Sequence, residues 1–266
     1  MAYRKKDIAS CPVRETAPWN EVPVHRPVTC RARHYPPGTH IAPHRHRRHQ
    51  LVFAMSGLMV VRAEGGRWVV PSTRAIWVPA GMAHAVDCIA EVHMRSLYVE
   101  PDFAPQLPHE AFAVQVAPLL RELLLAASLI ETAHEDDSRD GRVVRLLLDE
   151  LHRMDVLPLH LPAPTEPRLQ RICQHIQKHP GDDATLQDWA QALQVDVKTI
   201  QRHFASELGM TFGQWRQQAR LLAALERLAV GDKVIDVALA MGYDSPSAFT
   251  SMFKRQLGQT PAAFFR

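Results

Sequence analysis

Cysteine is scarce in this 266-residue chain, and Cys11, Cys30, Cys88 and Cys173 lie far apart with no CxxC pair. That scatter argues against a disulfide framework and implies reduced thiols, as expected of a cytoplasmic protein. No run approaches eighteen apolar residues, so no membrane span is expected. The basic start MAYRKKDIAS is followed by no apolar stretch, and an export signal is not expected either. Low-complexity tracts are missing. Net charge is small at +3, but its placement is informative. Of the 31 basic and 28 acidic residues, 12 and 9 fall in 168–266, and the rest of the chain balances at 19 each. The whole surplus therefore sits in the last hundred residues, where a phosphate-rich partner would meet it. The length leaves room for two domains, each with its own core.

What is present is a duplication. Around Ala190 the chain reads TLQDWAQALQVDVKTIQRHF, and around Ala238 it reads VIDVALAMGYDSPSAFTSMF. Four residues after each Ala comes a tight-turn position, Gln194 or Gly242. Ten residues after it stands an apolar residue expected to pin the next helix, Ile200 or Ala248. A small residue at a close crossing, a break, and a helix with one free face make a helix-turn-helix. Short helix pairs are common, whereas two copies joined by one amphipathic helix, Thr211 to Ala229, are specific.

The C-terminal string GYDSPSAFTSMFKRQLGQTPAAFFR resembles the signature of AraC/XylS-type transcription regulators. The features that carry it are Gly242-Tyr243, Ser247, Phe249, Phe253-Lys254, Gly258, Thr260-Pro261 and the closing Phe265-Arg266. In the first copy they are Leu186, Ala190, Arg202, Phe204, Gly209 and Arg220. The resemblance covers residues 168–266 and departs from the family's usage at Gln194, Asp196 and Ser251. It implies two helix-turn-helix units entering successive major grooves of double-stranded promoter or operator DNA.

Within the first unit, Thr185 and Asp196 are expected N-caps. A helix from Val197 to Leu208 would bury Ile200 and Phe204 and present Lys198, Thr199, Gln201 and Arg202 to DNA. Gln and Arg offer bidentate hydrogen bonds to adenine and guanine edges. Arg202 is the most ambiguous of the four, since family arginines there also serve structure or phosphate. In the second unit Pro246 suits a first helical turn. Phe249 and Phe253 would be buried, leaving Ser245, Ser247, Thr250, Ser251 and Lys254 for DNA. Short hydroxyls and one lysine suit phosphate positioning better than base discrimination. The first unit is therefore expected to read sequence and the second to anchor.

The N-terminal half has short strand-like runs punctuated by Gly and Pro, from Thr29 to about Val99, with a hairpin at Glu64-Gly65-Gly66. GTHIAPHRHRRHQLVFAMSG and WVPAGMAH then resemble the two cupin motifs, with His44, His46 and Gln50 in the ligand slots of the first and His84 in the second. Gln50 stands where a ligating Glu is usual, and the second motif lacks its opening Gly (Thr73) and closing Asn (Cys88). His44 and His46 are two apart on an expected strand and would share a face. Three imidazoles and an amide oxygen suit a divalent ion such as Zn, Fe, Ni or Mn. A metal-free pocket for an organic effector is an equal alternative. His40 and His49 would point away, and Arg45, Arg47 and Arg48 would form an exposed basic cluster.

The expected fold is multidomain α+β. Residues 1–110 form a cupin-like double-stranded β-helix barrel, in which roughly the first thirty make an arm or edge strand. Residues 111–157 form a helical hairpin, a possible homodimer seam or a layer packed on the barrel. A Pro-rich linker spans 158–167, and 168–266 form an all-α double helix-turn-helix domain. The expected function is transcription regulation without catalysis, with a small-molecule or metal effector and, for an activator, RNA polymerase as partner; activator and repressor stay open. A cupin enzyme with a fused DNA-binding domain and a pure metal sensor are the competing readings.

Overall fold

The computed structural model describes residues 28–265 except 73, 104, 131–133, 155 and 158. The expected N-terminal arm, Cys11 and Thr73 lie outside the described residues. The chain divides into two compact units, Met1–His160 and Leu161–Arg266.

The first unit is built on nine labelled antiparallel strands: β1 Val28–Tyr35, β2 His40–His44, β3 His49–Ala54, β4 Leu58–Ala63, β5 Gly66–Pro71, β6 Arg74–Val78, β7 His84–Cys88, β8 Val92–Val99 and β9 Phe112–Gln115. One sheet runs β1-β8-β3-β6-β9, extended by Val156–Leu157 beside β9; the other contains β5-β4-β7-β2. Two sheets closing on each other make the expected barrel-like sandwich. Its turns need their glycines. Gly57 has φ 87°, and a Cβ there would sit 2.0 Å from the Glu91 carbonyl oxygen. Gly65, at φ 89°, supports the hairpin joining β4 to β5.

β3 is buried along its whole length, because its sheet is covered on both faces. Leu51, Phe53, Trp77, Leu97 and Val114 face helices α1 (Pro118–Ala127) and α2 (Arg139–Leu151). Gln50, Val52, Ser96 and Tyr98 alternate with them and face the opposite sheet. Leu120, Leu123, Leu124, Val144, Leu147 and Leu151 pack into the same core, each burial stabilising by about 1.5–3 kcal/mol. The apolar stripes of the hairpin are thus largely consumed by the barrel, while Leu119 and Leu146 remain exposed. Helical spacing read from 112 onward is corrected at its start: Phe112–Gln115 is a strand paired with β6, and helix begins only at Pro118. Arg48 also departs from expectation. It is half-buried and paired with Glu100, a structural ion pair outside any exposed cluster. Cys30 and Cys88 are free thiols that burial pushes up to about 12 and about 11, so both are unreactive.

The second unit is helical: α3 Pro167–Lys178, α4 Leu186–Leu193, α5 Val197–Leu208, α6 Phe212–Ala229, α7 Val234–Ala240, α8 Pro246–Leu257 and α9 Pro261–Phe264. Local signals set the ends. Thr185 and Thr211 form capping boxes with Asp188 and Gln214. Glycines in the left-handed region close α5 and α8, at Gly209 and Gly258. Trp215, fully buried, donates from Nε1 to the Pro162 carbonyl at 2.9 Å. Arg220 donates to the carbonyls of Pro180 and Asp182, at 2.7 and 2.9 Å. It is thereby a brace within the unit.

Hydrogen bonds hold three carboxylates of this unit below the usual range: His175 on Asp182, Thr185 on Asp188 and Thr165 on Glu207. A depressed carboxylate adds stability that is fully present above its unfolded pKa and is lost as pH falls through the folded one. The melting temperature of the helical unit should therefore hold from pH 7 to about 5 and drop below about 4. Circular dichroism melts across that range check this, and Glu207→Ala should flatten the acid limb. An acid limb of equal steepness in the variant would count against the assignment.

Candidate functional site

Both helix-turn-helix units are present, and they differ in register. The crossing residues Ala190 and Ala238 are buried, at 5% and 0% exposure. The turn begins in each at the left-handed position, Gln194 at φ 54° and Gly242 at φ 75°. Gln194 is the sole non-Gly residue with positive φ among the described residues. At Gly242 a Cβ would lie 2.7 Å from the Gly181 carbonyl oxygen, so the second turn has no room for a side chain.

From there the copies diverge. Asp196 caps α5 two residues after its turn residue, accepting from Lys198 N at 2.7 Å. Ser245 caps α8 three residues after its own, accepting from Ala248 N at 3.2 Å. The second turn is one residue longer. Ala248 is consequently exposed, and Phe249 is the buried counterpart of Ile200. That corrects the pinning role expected of Ala248.

On α5, Lys198, Gln201 and Arg202 are exposed and Thr199 is half-buried, while Ile200, Phe204 and Leu208 face inward. On α8, Ser247, Ser251 and Lys254 are exposed and Thr250 is half-buried, above Phe249, Met252 and Phe253. The Ser245 hydroxyl is engaged in capping. Sequence reasoning missed Arg216 and Arg255, which join Ser251 and Tyr243 around a cleft of about 340 Å³ between α6 and α8. Arg255 was legible as an outward position, four residues after Ser251.

The first unit carries a second constellation. His44 ends β2 and pairs across to His84 on β7. His46 lies past the strand end, so the shared face expected for His44 and His46 arises from a bend into the following loop. The rings of His44 and His84 are 4.3 Å apart by centroid, and His46 lies 4.8 and 5.3 Å from them. One nitrogen from each of the three lies within 4.8 Å of the others. Nδ1 of His44 contacts the Ala42 carbonyl at 2.8 Å, and Nδ1 of His84 contacts the Met82 carbonyl at 3.1 Å. A carbonyl can only accept, so each Nδ1 carries the proton and each Nε2 keeps its lone pair.

Nε2 of His46 and of His84 are buried and without hydrogen-bond partners. Burial, then the neighbouring His44, push His46 down to about 4 and His84 to about 3, and burial lowers His44 as well. All three imidazoles are neutral at pH 7, the form that binds metals.

Gln50 is buried on the same cavity wall, donating from Nε2 to Ser96 Oγ at 3.1 Å and Tyr98 Oη at 3.2 Å. Its Oε1 makes no hydrogen bond of good geometry, and its weak interaction with His46 raises that imidazole's pKa against the larger effect of burial. His49 faces elsewhere: it stacks on Trp77 and accepts from Ala80 N. Arg31 and Arg33 on β1 also line the cavity, and sequence reasoning did not single them out.

Residues 189–266 match a helix-turn-helix domain family and residues 26–154 match the AraC-like ligand binding domain family. The chain is 34% identical over 221 residues to the HTH-type transcriptional regulator NimR of Escherichia coli K12, spanning 83% of this chain and 81% of that protein. It is 30% identical over 128 residues to the regulator RipA of Corynebacterium diphtheriae, spanning 48% of this chain and 36% of RipA. A solved structure of ToxT from Vibrio cholerae aligns over 90% of this chain and 98% of its own, at 10% identity and a TM-score of 0.38. With a ligand-binding domain ahead of paired helix-turn-helix units, and with NimR alike over most of both chains, this protein belongs to the AraC-type family of DNA-binding transcription regulators.

Proposed function

We propose that this regulator holds a divalent metal ion on His44, His46 and His84, with the Gln50 amide oxygen beside them, and that occupancy of this site sets promoter binding. The observation that carries the reading is the convergence of three neutral imidazoles, two with buried, partnerless Nε2 atoms, inside the ligand-binding domain. Buried nitrogens left without partners are costly, and a cation would satisfy them together. Metal–imidazole bonds of ~2.1 Å put tetrahedral donors ~3.4 Å apart, so nitrogens that lie within 4.8 Å of one another would draw together on binding an ion. A bound ion supplies charge and Lewis acidity. The chain's own part is orientation, through the carbonyls of Ala42 and Met82 that fix each Nε2. The named relatives are regulators, which favours ligand binding over turnover as the barrel's task. Metal content by mass spectrometry, with DNA binding measured before and after chelation, tests the proposal. Metal-free protein with unchanged DNA binding would sink it.

On the DNA side, α5 reads base edges through Lys198, Thr199, Gln201 and Arg202. Helix α8 positions phosphate through Ser245, Ser247, Thr250, Ser251 and Lys254. Gln201→Ala should cost on the order of 1–3 kcal/mol of discrimination and broaden the selected site. Lys254→Ala should weaken binding evenly and reduce the salt slope by about 1. Selection from a random DNA pool followed by salt titration checks both, and broader selection from Lys254→Ala would reverse the assignment. A homodimer, acting in the cytoplasm where promoter DNA is met, would have Leu119, Leu129 and Leu146 among the exposed apolar positions of its hairpin.

A further inference from the structure

The outer surface of the first unit carries a second meeting of metal-binding side chains, separate from the cavity. Arg33 and Tyr35 on β1, and Met94 and Ser96 on β8, line the space between the sheets. Residues that alternate with them point the other way. That puts His34 and His93, paired across β1 and β8, on the outer face of their sheet. Their rings lie 4.6 Å apart by centroid, and Glu91 reaches both from the connection before β8. His34 Nε2 is 2.7 Å from Glu91 Oε1, and His93 Nε2 is 3.7 Å from the same oxygen. A hydrogen bond accounts for the first distance, but the second is too long for one. Donors ~2 Å from an ion stand ~2.8 Å apart at right angles and ~3.4 Å apart in a tetrahedron. The two contacts bracket that range, and one donor atom from each residue lies within 4.8 Å of the others. The backbone beneath is held from both sides. Met55 N donates to the His93 carbonyl at 2.8 Å, and His93 N donates to the Ser56 carbonyl at 3.3 Å. Gly57 packs on the Glu91 carbonyl too closely for any Cβ. The main chain under the three residues is thus fixed beforehand, and only their side chains need turn to close on an ion.

We propose that His34, Glu91 and His93 form a second divalent-metal site, open to solvent, which loads preferentially with Cu(II). Two imidazoles and a carboxylate make a nitrogen–oxygen donor set of the kind Cu(II), Ni(II) and Zn(II) accept. The carboxylate offsets part of the ion's charge. The side chains of His34, Glu91 and His93 are 57%, 60% and 52% exposed, so an ion enters from solution and keeps water on its remaining positions. Exposure also weakens the site, because each ligand gives up hydration to bind. Among divalent first-row ions such a donor set holds Cu(II) most tightly, so at micromolar ion it fills with Cu(II) and leaves Co(II) and Zn(II) in solution. Nothing in this depends on an ion in the cavity. The two ligand sets share no residue, and the sheet carrying β1 and β8 stands between them.

The test uses the full-length protein, dialysed against micromolar Cu(II) at neutral pH. Metal analysis counts the bound ions, and electron paramagnetic resonance shows by nitrogen hyperfine structure whether imidazoles hold them. The parent is compared with His93→Gln, with His84→Ala, and with the variant carrying both changes. His93 is exposed, so its replacement leaves the fold intact. The expected result is one Cu(II) per chain that disappears in His93→Gln and persists in His84→Ala, whether or not the cavity holds another ion. The doubly changed protein should then hold neither. His34→Gln and Glu91→Gln should each weaken the outer Cu(II) at least ~10-fold, since loss of a mere outer-shell partner already costs ~10–100-fold. Equal Cu(II) in the parent and His93→Gln overturns the outer site. So does loss of all Cu(II) in His84→Ala alone, which would assign the ion to the cavity. A nitrogen pattern unchanged by His34→Gln and by His93→Gln also overturns it.

Discussion

His84→Ala is expected to reduce Co(II) or Zn(II) affinity by more than ~100-fold, leaving the protein metal-free at micromolar ion. His84 is 1% exposed, lies opposite His44 across the β2–β7 pair, and points a partnerless Nε2 at the other two rings. Loss of a hydrogen-bond partner behind a metal-bound histidine costs ~10–100-fold, and loss of a ligand itself must exceed that. The truncation removes a partnerless Nε2 but also the Nδ1 hydrogen bond to Met82 and leaves a buried cavity, so a melting curve of the metal-free variant accompanies the assay. His49→Ala is the control: His49 stacks on Trp77, outside the cluster, and its loss should leave metal uptake intact. Equilibrium dialysis with metal analysis reads both variants. Stoichiometric metal in His84→Ala, or equal losses from the two variants, would place the ion elsewhere or nowhere.

Phe249→Ala should unfold the second DNA-binding unit. The ring is 0% exposed and touches Tyr243 and Phe253 at centroid distances of 5.5 and 5.8 Å. Truncating a buried Phe costs ~3–5 kcal/mol, including the cavity left behind. For a unit of this size that lowers melting by more than ~10 °C. Hydrogen exchange should show α8 amides losing protection first, with DNA affinity falling alongside. Phe249→Leu, which keeps most of the volume, should recover much of both. A melting temperature within a degree or two of the parent would mean that α8 is held by something other than this aromatic cluster.

Much of this architecture is written locally, and what was not legible had a physical reason. Strands β3, β4 and β5 are separated by Gly57 and Gly65, and β6 from β7 by Pro79 and Gly81, residues whose backbone preferences end strands whatever surrounds them. Helices α5 and α6 could be bounded because Asp196 and Thr211 cap them and Gly209 closes the first. The imidazole trio was readable from spacing, even though His46 reaches it from a loop. Arg31 and Arg33 were not: a strand reading Arg-Ala-Arg-His-Tyr has polar groups on both faces, and only the opposing sheet shows which face is enclosed. Phe112–Gln115 misled for the converse reason, since a short apolar run fits strand and helix periods alike. Ala248 misled because an insertion of one residue in a turn leaves the pattern of the two helices intact.

That single extra residue between Gly242 and Ser245 bears on anyone who would rewire this regulator. Transplanting the outward face of α5 onto α8 by counting from the two crossing alanines would displace every grafted side chain by one position. One position on an α-helix is roughly 100° of rotation, enough to bury an intended base reader and push an aromatic anchor into water. Counting instead from the N-caps, Asp196 to Ser245, keeps Ile200 over Phe249 and Phe204 over Phe253. The two helix-turn-helix units are interchangeable parts only when cut at their caps.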